Sequence, residues 1–333
     1  DSAALHDVIV AAIDEVPAGL QVIVVSRAPV SPPYARLAAN RALAVLDWDA
    51  LKLTPDETSA LLASVGSAMA QEMVVKIGHV GPTSGAIAHL GKDNENGARL
   101  AIEELNAKGV KIGGKAVKFE LVAEDDAADP KQATAAAQKL VDSKVNGVIG
   151  HLNSGTTIPA SKIYSDAGIP QISPSSTNPK YTRQGYKTAF RVVADDVHLG
   201  GTLGRYAVNQ LKGKSVAVID DRTAYGQGVA NEFEKAVKAA GATIVGREFT
   251  SDKATDFMAI LTTFKDKKPD VVFFGGMDSV GGPMLKQMKS LGINAKFMGG
   301  DGICTAELPK LAGDAMADGQ VVCAEAGGVE GDQ

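Results

Sequence analysis

Cysteine and aromatic side chains are scarce in this chain, and each scarcity narrows the field. The two cysteines, Cys304 and Cys323, stand too far apart for a redox pair or a zinc motif. They form one disulfide in an oxidising compartment or stay two buried thiols, and the spacing leaves both readings open. Aromatics make up 5% of the 333 residues while alanine is abundant, so helices are expected to pack closely on sheets through small side chains. No apolar run is long enough to span a bilayer, so no membrane insertion is expected. Basic residues are scattered and the net charge is -5, which argues against a nucleic-acid surface. Enzyme signatures are missing too. There is no phosphate-cradling G-x-x-x-x-G-K-[ST] loop and no G-x-G-x-x-G after the first regular strand. Ser154 lacks the glycine two residues earlier that a G-x-S-x-G elbow requires. No enzymatic activity, cofactor or metal is therefore expected.

What is present is organised around Gly150 to Thr177, GHLNSGTTIPASKIYSDAGIPQISPSST. Val145 to Leu152 reads as a buried strand, and a second strand runs from Pro170 to Ile172. Between them Pro159 suits a helix's first turn, Ala160 to Ala167 carries the helical run, and Gly168 fits the position past its end. In a parallel βαβ unit Ser154, Thr156 and Thr157 then follow one strand, and Ser173, Ser175, Ser176 and Thr177 follow the next. Both clusters fall on the sheet edge where open α/β sheets bind ligands. Hydroxyls and free N–H groups at a helix N-terminus suit a carboxylate or phosphate. The same residues also serve as ordinary caps and turns.

The length predicts about two domains, and the chain in order supplies more than that. Ala3 to Val16 reads as a helix and Leu20 to Val25 as a strand. Thr54, Pro55 and Glu57 open another helix with a capping box. Ala60 to Ala70 ends in Ala68-Met69-Ala70, an A-x-A pattern like the end of a secretory signal whose basic start is missing. From Val74 strands and helices alternate regularly. Helices are expected at Lys92 to Lys108, from Asp129-Pro130 to Val141, His198 to Leu211, Gly226 to Ala240, Ala254 to Phe264 and Gly282 to Leu291. Strands are expected at Val74 to Val80, Val117 to Ala123, Thr188 to Val193, Ser215 to Ile219, Thr243 to Phe249, Val271 to Phe274, Lys296 to Met298 and Val321 to Ala324. The expected fold class is α/β, with two Rossmann-like parallel-sheet lobes, 73–193 and 194–333, meeting at a single crossover with a cleft between them. The acid pairs Asp125-Asp126, Asp195-Asp196 and Asp220-Asp221 follow strands before helices. Asp caps helix N-termini there, and no histidine stands at ligand spacing, so a metal site is not expected.

Two resemblances add to this reading. VIVVSRAPVSPPYARL with LDWDALKLTPDETSALL, within 1–58, resembles the late part of the ATPase module of maltose-activator-type transcription regulators. Arg27 would be a phosphate-sensing arginine there, but with no phosphate loop this piece implies no ATPase. Residues 59–72 then read as a signal-peptide-like junction. From Val74 onward KIGHVGPTSG, EDDAADPKQA, VIGHLNSGTTIPAS, PQISPSSTNPKYT and FMGGDGI resemble the periplasmic Leu/Ile/Val-binding proteins of ABC transporters, with the type I periplasmic-binding fold. That resemblance implies a periplasmic, monomeric receptor that closes on an aliphatic amino acid and docks on a membrane permease. It implies Ser154, Ser175 and Thr177 on the ligand α-carboxylate and Asp301 on the α-ammonium. Tyr225 would close over the ligand from lobe two, and Leu90, Leu152 and Met277 would line the side-chain pocket. Some relatives carry tyrosine near Leu90 and glutamate near Asp301, so the amino acid taken is left open. The family's first-lobe disulfide would need cysteines near Ala128 and Asn153, which are absent. The family also returns to lobe one after the last strand, so a chain ending at Gln333 is expected to be C-terminally truncated. A cytoplasmic amino-acid-sensing regulator fusion is the alternative function.

Overall fold

The computed structural model describes residues 73–327 of the 333-residue chain. The regulator-like stretch at 1–58, with Arg27, and the A-x-A run in 59–72 lie outside the described residues. Lobe one runs β1 (Met73–Gly81), α1 (Ala88–Ala107), β2 (Lys111–Ile112), β3 (Lys115–Asp125), α2 (Pro130–Asp142), β4 (Gly147–Gly150), α3 (Ser154–Asp166), β5 (Gln171–Ser173), α4 (Lys180–Arg183) and β6 (Ala189–Arg191). Lobe two runs α5 (Asp196–Asn209), β7 (Ser215–Asp220), α6 (Ala224–Ala239), β8 (Thr243–Phe249), α7 (Met258–Lys265), β9 (Val271–Gly275), α8 (Asp278–Ser290) and β10 (Lys296–Gly299). A short 3-10 turn (Asp301–Ile303), α9 (Leu308–Ala312) and β11 (Val321–Cys323) follow. Among the described residues no helix is long and apolar enough to cross a membrane.

The lobe-one sheet has the order β2-β3-β1-β4-β5-β6 and the lobe-two sheet β11-β10-β9-β7-β8. Pairing is parallel throughout except for the β2–β3 hairpin, which the sequence reading missed. Setting β2 aside, the two lobes share one order: the first strand lies between the second and the third. The chain therefore reverses its winding direction beside β1 and β4 in one lobe and beside β7 and β9 in the other. Such switch points open a crevice at the C-terminal ends of the strands.

The sequence explains why the elements form where they do. β7, SVAVID, and β9, VVFFG, are buried almost end to end, as expected of parallel strands covered on both faces. In α6, Tyr225, Val229, Phe233 and Val237 recur at helical spacing and are buried, and the Thr223 hydroxyl accepts from the Gly226 N–H to cap the helix. The crossing of α5 over α6 needs glycine. A Cβ on Gly200 would stand 2.7 Å from the Val229 carbonyl oxygen, and one on Gly204 would stand 2.6 Å from the Ala236 Cβ.

Three helices begin a turn or more earlier than the sequence pattern predicts. α3 starts at Ser154, ahead of the expected Ala160, and carries Pro159 inside it; α8 starts at Asp278, ahead of Gly282, and carries Pro283 inside it. The rule that proline marks a first turn fails here because the turns before these prolines have other anchors. Both the Thr156 and Thr157 N–H groups and both their hydroxyls donate to the Asn153 carbonyl. α1 likewise starts at Ala88 in place of Lys92, which puts Leu90 in its first turn.

The junction between lobes differs from expectation as well. Besides the crossover at Val193–Ala194, the segment after β11 returns alongside it, and the Ala194 N–H donates to the Ala326 carbonyl at 2.6 Å. The cysteines are joined: Cys304 and Cys323 form a disulfide with Cα atoms 5.6 Å apart.

Candidate functional site

At the paired switch points lies a cavity of about 110 Å³, reached by the C-terminal ends of strands from both lobes. Leu90, Leu152, Ser154 and Ser175 line it from lobe one, and Tyr225, Met277 and Asp301 from lobe two. Seven residues singled out from the sequence are thus brought to one place. Thr177 lies in the same loop as Ser175 but is fully buried and does not line the cavity. Asp93, Asn94, Asn153 and Gly302 also line it and were missed. The first two fell inside the expected helix Lys92 to Lys108, with nothing in the sequence to mark them as facing a cavity; Asn153 was passed over as a loop residue beside Ser154.

The lobe-one wall is built from hydrogen-bond donors. The Ser154 hydroxyl oxygen accepts from the Asn178 N–H (3.2 Å) and the Ser176 hydroxyl (3.3 Å), which leaves its own proton to give away. Ser154 is also the first residue of α3, and no side chain caps that N-terminus. Unsatisfied first-turn N–H groups and the helix dipole favour an anion there. The Ser175 hydroxyl is engaged differently. It donates to the Leu152 carbonyl at 3.2 Å and accepts from Asn94 at 3.4 Å, so its proton is already committed. The buried Thr177 hydroxyl meets no hydrogen-bond partner.

The lobe-two wall is acidic. Asp301 follows β10 and accepts a 2.7 Å hydrogen bond from the Tyr225 hydroxyl, which in turn accepts from the Gly302 N–H at 2.9 Å. Tyr225 therefore holds the carboxylate in place as well as lining the cavity. Burial pushes the Asp301 carboxyl up to about 6, against the lowering effect of the Tyr225 hydrogen bond. Burial, followed by the neighbouring Asp301 charge, pushes the Tyr225 phenol well above its ordinary value. The disulfide fastens this wall: Cys304 ends the turn that begins at Asp301, and Cys323 pairs in register with Gly299 at the end of β10.

Behind the cavity, Asp196 at the start of α5 is fully buried with neither carboxylate oxygen paired, and burial raises its carboxyl to about 7. Across the cleft, His89 Nε2 meets Asp278 Oδ2 at 2.8 Å, and the Asn178 amide donates to the Ala224 carbonyl at 2.7 Å. His89 and Asp278 each adjoin a cavity-lining residue, Leu90 and Met277, so this contact fastens the two walls beside the pocket.

The acid pairs cap helices less often than the sequence predicts. Among the described residues no cluster of three or more metal-type ligands occurs. Only Asp195 caps a helix, accepting from the His198 N–H. Asp125, Asp126, Asp220 and Asp221 instead accept from N–H groups two residues on, as Asx turns do. Histidine does accompany two of the acids: His151 meets Asp126 at 2.7 Å, and His198 meets Asp195 at 2.9 Å. A larger groove, about 450 Å³, runs between Asn178–Lys180 and α6, but lysine and glutamate rim it and none of the predicted site residues lines it.

Comparison with known proteins places the chain among binding proteins. A family profile described as periplasmic binding protein matches residues 74–326. The chain is 42% identical over 240 residues to an amino acid binding protein of Pseudomonas aeruginosa, covering 72% of this chain and 63% of that protein. It is 40% identical over 263 residues to a leucine-specific-binding protein of Salmonella typhimurium, covering 79% of this chain and 69% of that one. The crystal structure of a branched-chain amino acid transporter substrate binding protein from Streptococcus pneumoniae, in complex with isoleucine, superposes with a TM-score of 0.65 at 31% identity, covering 72% of this chain and 68% of that one. The chain thus spans about two thirds of the length of these relatives.

Proposed function

We infer function from one premise: this chain belongs to the periplasmic binding protein family, whose members bind solutes and do not catalyse. We propose that it is the solute-binding component of an ABC transporter for branched-chain aliphatic amino acids, working in the periplasm and delivering its cargo to a membrane permease. The observation that carries this reading is the pairing of opposite walls around one small cavity: free hydroxyl and helix-terminal donors on lobe one, a carboxylate on lobe two. Those are the complements of the two ends of a zwitterion. At about 110 Å³ the cavity is far below the roughly 300–1,000 Å³ of sites for drug-sized ligands, so it suits one amino acid.

In this reading Ser154 and the first turn of α3 hold the α-carboxylate, with Thr177 turning its unpartnered hydroxyl to it as the lobes close. Ser175 supports the wall through its bond to Leu152. Asp301, oriented by Tyr225, takes the α-ammonium. Leu90, Leu152 and Met277 enclose an aliphatic side chain, whose burial yields about 0.8 kcal/mol per CH₂. Ligand contacts to both lobes favour the closed form, a shift in population that the permease can read.

The test is a thermal-shift panel of the twenty amino acids on this chain. Leucine, isoleucine and valine should raise the melting temperature, with a stabilisation of about 2.7 kcal/mol when ligand stands at one hundred times its dissociation constant. A panel in which none of the three shifts the transition overturns the reading.

A further inference from the structure

His89 is the second residue of α1, in lobe one, and Asp278 is the first residue of α8, in lobe two. They stand 189 positions apart in the chain and meet only because the lobes face each other, with His89 Nε2 at 2.8 Å from Asp278 Oδ2. Against a carboxylate that nitrogen carries the proton and donates. From within lobe two the Thr305 hydroxyl donates to the same oxygen at 2.6 Å, while Asp278 Oδ1 has no partner. The Asp278 side chain is wholly buried and that of His89 is 32% exposed. Neither residue lines the ligand cavity. Burying a carboxylate is costly unless its oxygens are paired, so closing the lobes over Asp278 depends on His89 replacing the water that is expelled. Thr305 cannot do this, since it belongs to the same lobe as Asp278 and its bond is the same whether the lobes stand apart or together.

We infer that His89 and Asp278 form a closure latch, a positioning pair that sets the balance between open and closed forms without touching the ligand. This rests on the amino-acid-binding reading above and adds a device to it. The affinity of a two-lobed receptor is scaled by how readily it closes. A contact made only in the closed form therefore strengthens every ligand by one common factor. A residue that touches the ligand behaves otherwise, because its contribution depends on the side chain it meets. The latch also forms after the ligand has entered, so it slows departure and leaves entry alone. Water reaches the half-buried His89, which keeps the common factor modest.

Calorimetry and stopped-flow kinetics with leucine, isoleucine and valine on the 333-residue chain test this, with His89→Ala, His89→Gln and Asp278→Ala as variants. His89→Ala should weaken all three ligands by the same factor, about three- to tenfold, as expected of a charged hydrogen bond that water partly screens. The loss should appear as faster dissociation, with association unchanged within about twofold. His89→Gln, whose amide can donate to the same oxygen, should recover most of it. In an Asp278→Ala background, His89→Ala should change affinity by less than about twofold. Should truncating the buried Asp278 unfold lobe two, the comparison of His89→Gln with His89→Ala decides alone, since His89 is partly exposed at the start of its helix. Unchanged affinity in His89→Ala overturns the inference. So does a factor that differs by more than about threefold between the three ligands, or a loss that persists undiminished without Asp278. If the unsubstituted chain binds none of the three, the functional reading itself fails; if it binds them and His89→Ala binds them equally well, only the latch is lost.

Discussion

The two lobes share a strand order but not a core. In lobe two, consecutive residues of one strand feed opposite faces. Ala217, Ile219, Val272 and Phe274 pack into one buried cluster with α7, α8 and α9, while Val216, Val218, Val271 and Phe273 pack into another with α5 and α6. Lobe one has a single cluster, in which Val80, Leu140, Val148, Ala160 and Tyr164 join α2 and α3 to one face. On its other face α1 packs on β1 and β3. The register His79, Ile149, Ile172, Phe190 then runs across the sheet from a buried residue to open surface. Ile172 is 41% exposed, Phe190 49% and Val192 71%. Among the described residues the same winding thus gives a doubly covered sheet in one half and a partly uncovered one in the other. Yet each lobe brings its polar groups to the same strand ends, so the binding edge follows from topology and not from how completely a core is filled.

The largest effect that should separate the lobes is a core truncation. Phe273 is fully buried and stacks on Phe233 with ring centroids 3.8 Å apart. Phe273→Ala should cost about 3–5 kcal/mol in urea unfolding. A cost below about 1 kcal/mol would mean that lobe two is no better packed than the face beside Phe190.

The disulfide comes next. It closes a loop of 19 residues, which corresponds to roughly 3 kcal/mol of chain-entropy stabilisation. Replacing Cys304 and Cys323 by serine should lower stability by about that amount and loosen the turn that carries Asp301. Ligand affinity should therefore fall along with stability in calorimetry. Stability falling with affinity intact would show that the turn is held by β10 and Tyr225 alone.

Asp301 tests which lobe supplies the charge. Asp301→Ala should weaken leucine by about 1.5–3 kcal/mol, the typical worth of a hydrogen bond to a charged group. The sign of the pH dependence follows from the raised carboxyl. Below about 6 Asp301 is protonated and cannot pair with an ammonium, so affinity should hold at neutral pH and fall as pH drops through that value. The fall approaches about tenfold per unit, with a proton released on binding. Asp301→Asn should flatten the profile. A slope that survives would move the titration to Asp196, whose carboxyl burial raises to about 7.

Much of this arrangement was legible in the chain because it rests on local signals. Short apolar runs closed by glycine marked β4, β9 and β10, and the hydroxyls after β4 and β5 pointed to the binding edge before any coordinate. The misses have two physical causes. Helix starts at Ser154 and Asp278 were hidden because a proline rule holds only where nothing else anchors the preceding turn, and here the Asn153 carbonyl gathers the first-turn donors of α3. Contacts formed by folding leave no local trace: His89 meets Asp278 across 189 positions and His151 meets Asp126 across 25. Asn153 escaped for a related reason, since a helix expected only from Ala160 left it as a loop residue beside Ser154.

The smallest expected effect sits on the bare face and is the sharpest test of the contrast between lobes. Phe190→Ser removes an aromatic ring that is half exposed on the last strand of the lobe-one sheet, where no helix of the described residues covers it. Because the ring gains little from burial, the substitution should change urea stability by no more than about 0.5 kcal/mol, the range of ordinary surface changes. Ligand affinity should not move, since Phe190 lies on the face opposite Arg191 and away from the strand ends that meet the cavity. A cost of about 2 kcal/mol or more would place Phe190 in an apolar contact in solution. Lobe one would then be as fully covered as lobe two, and the asymmetry between them would vanish.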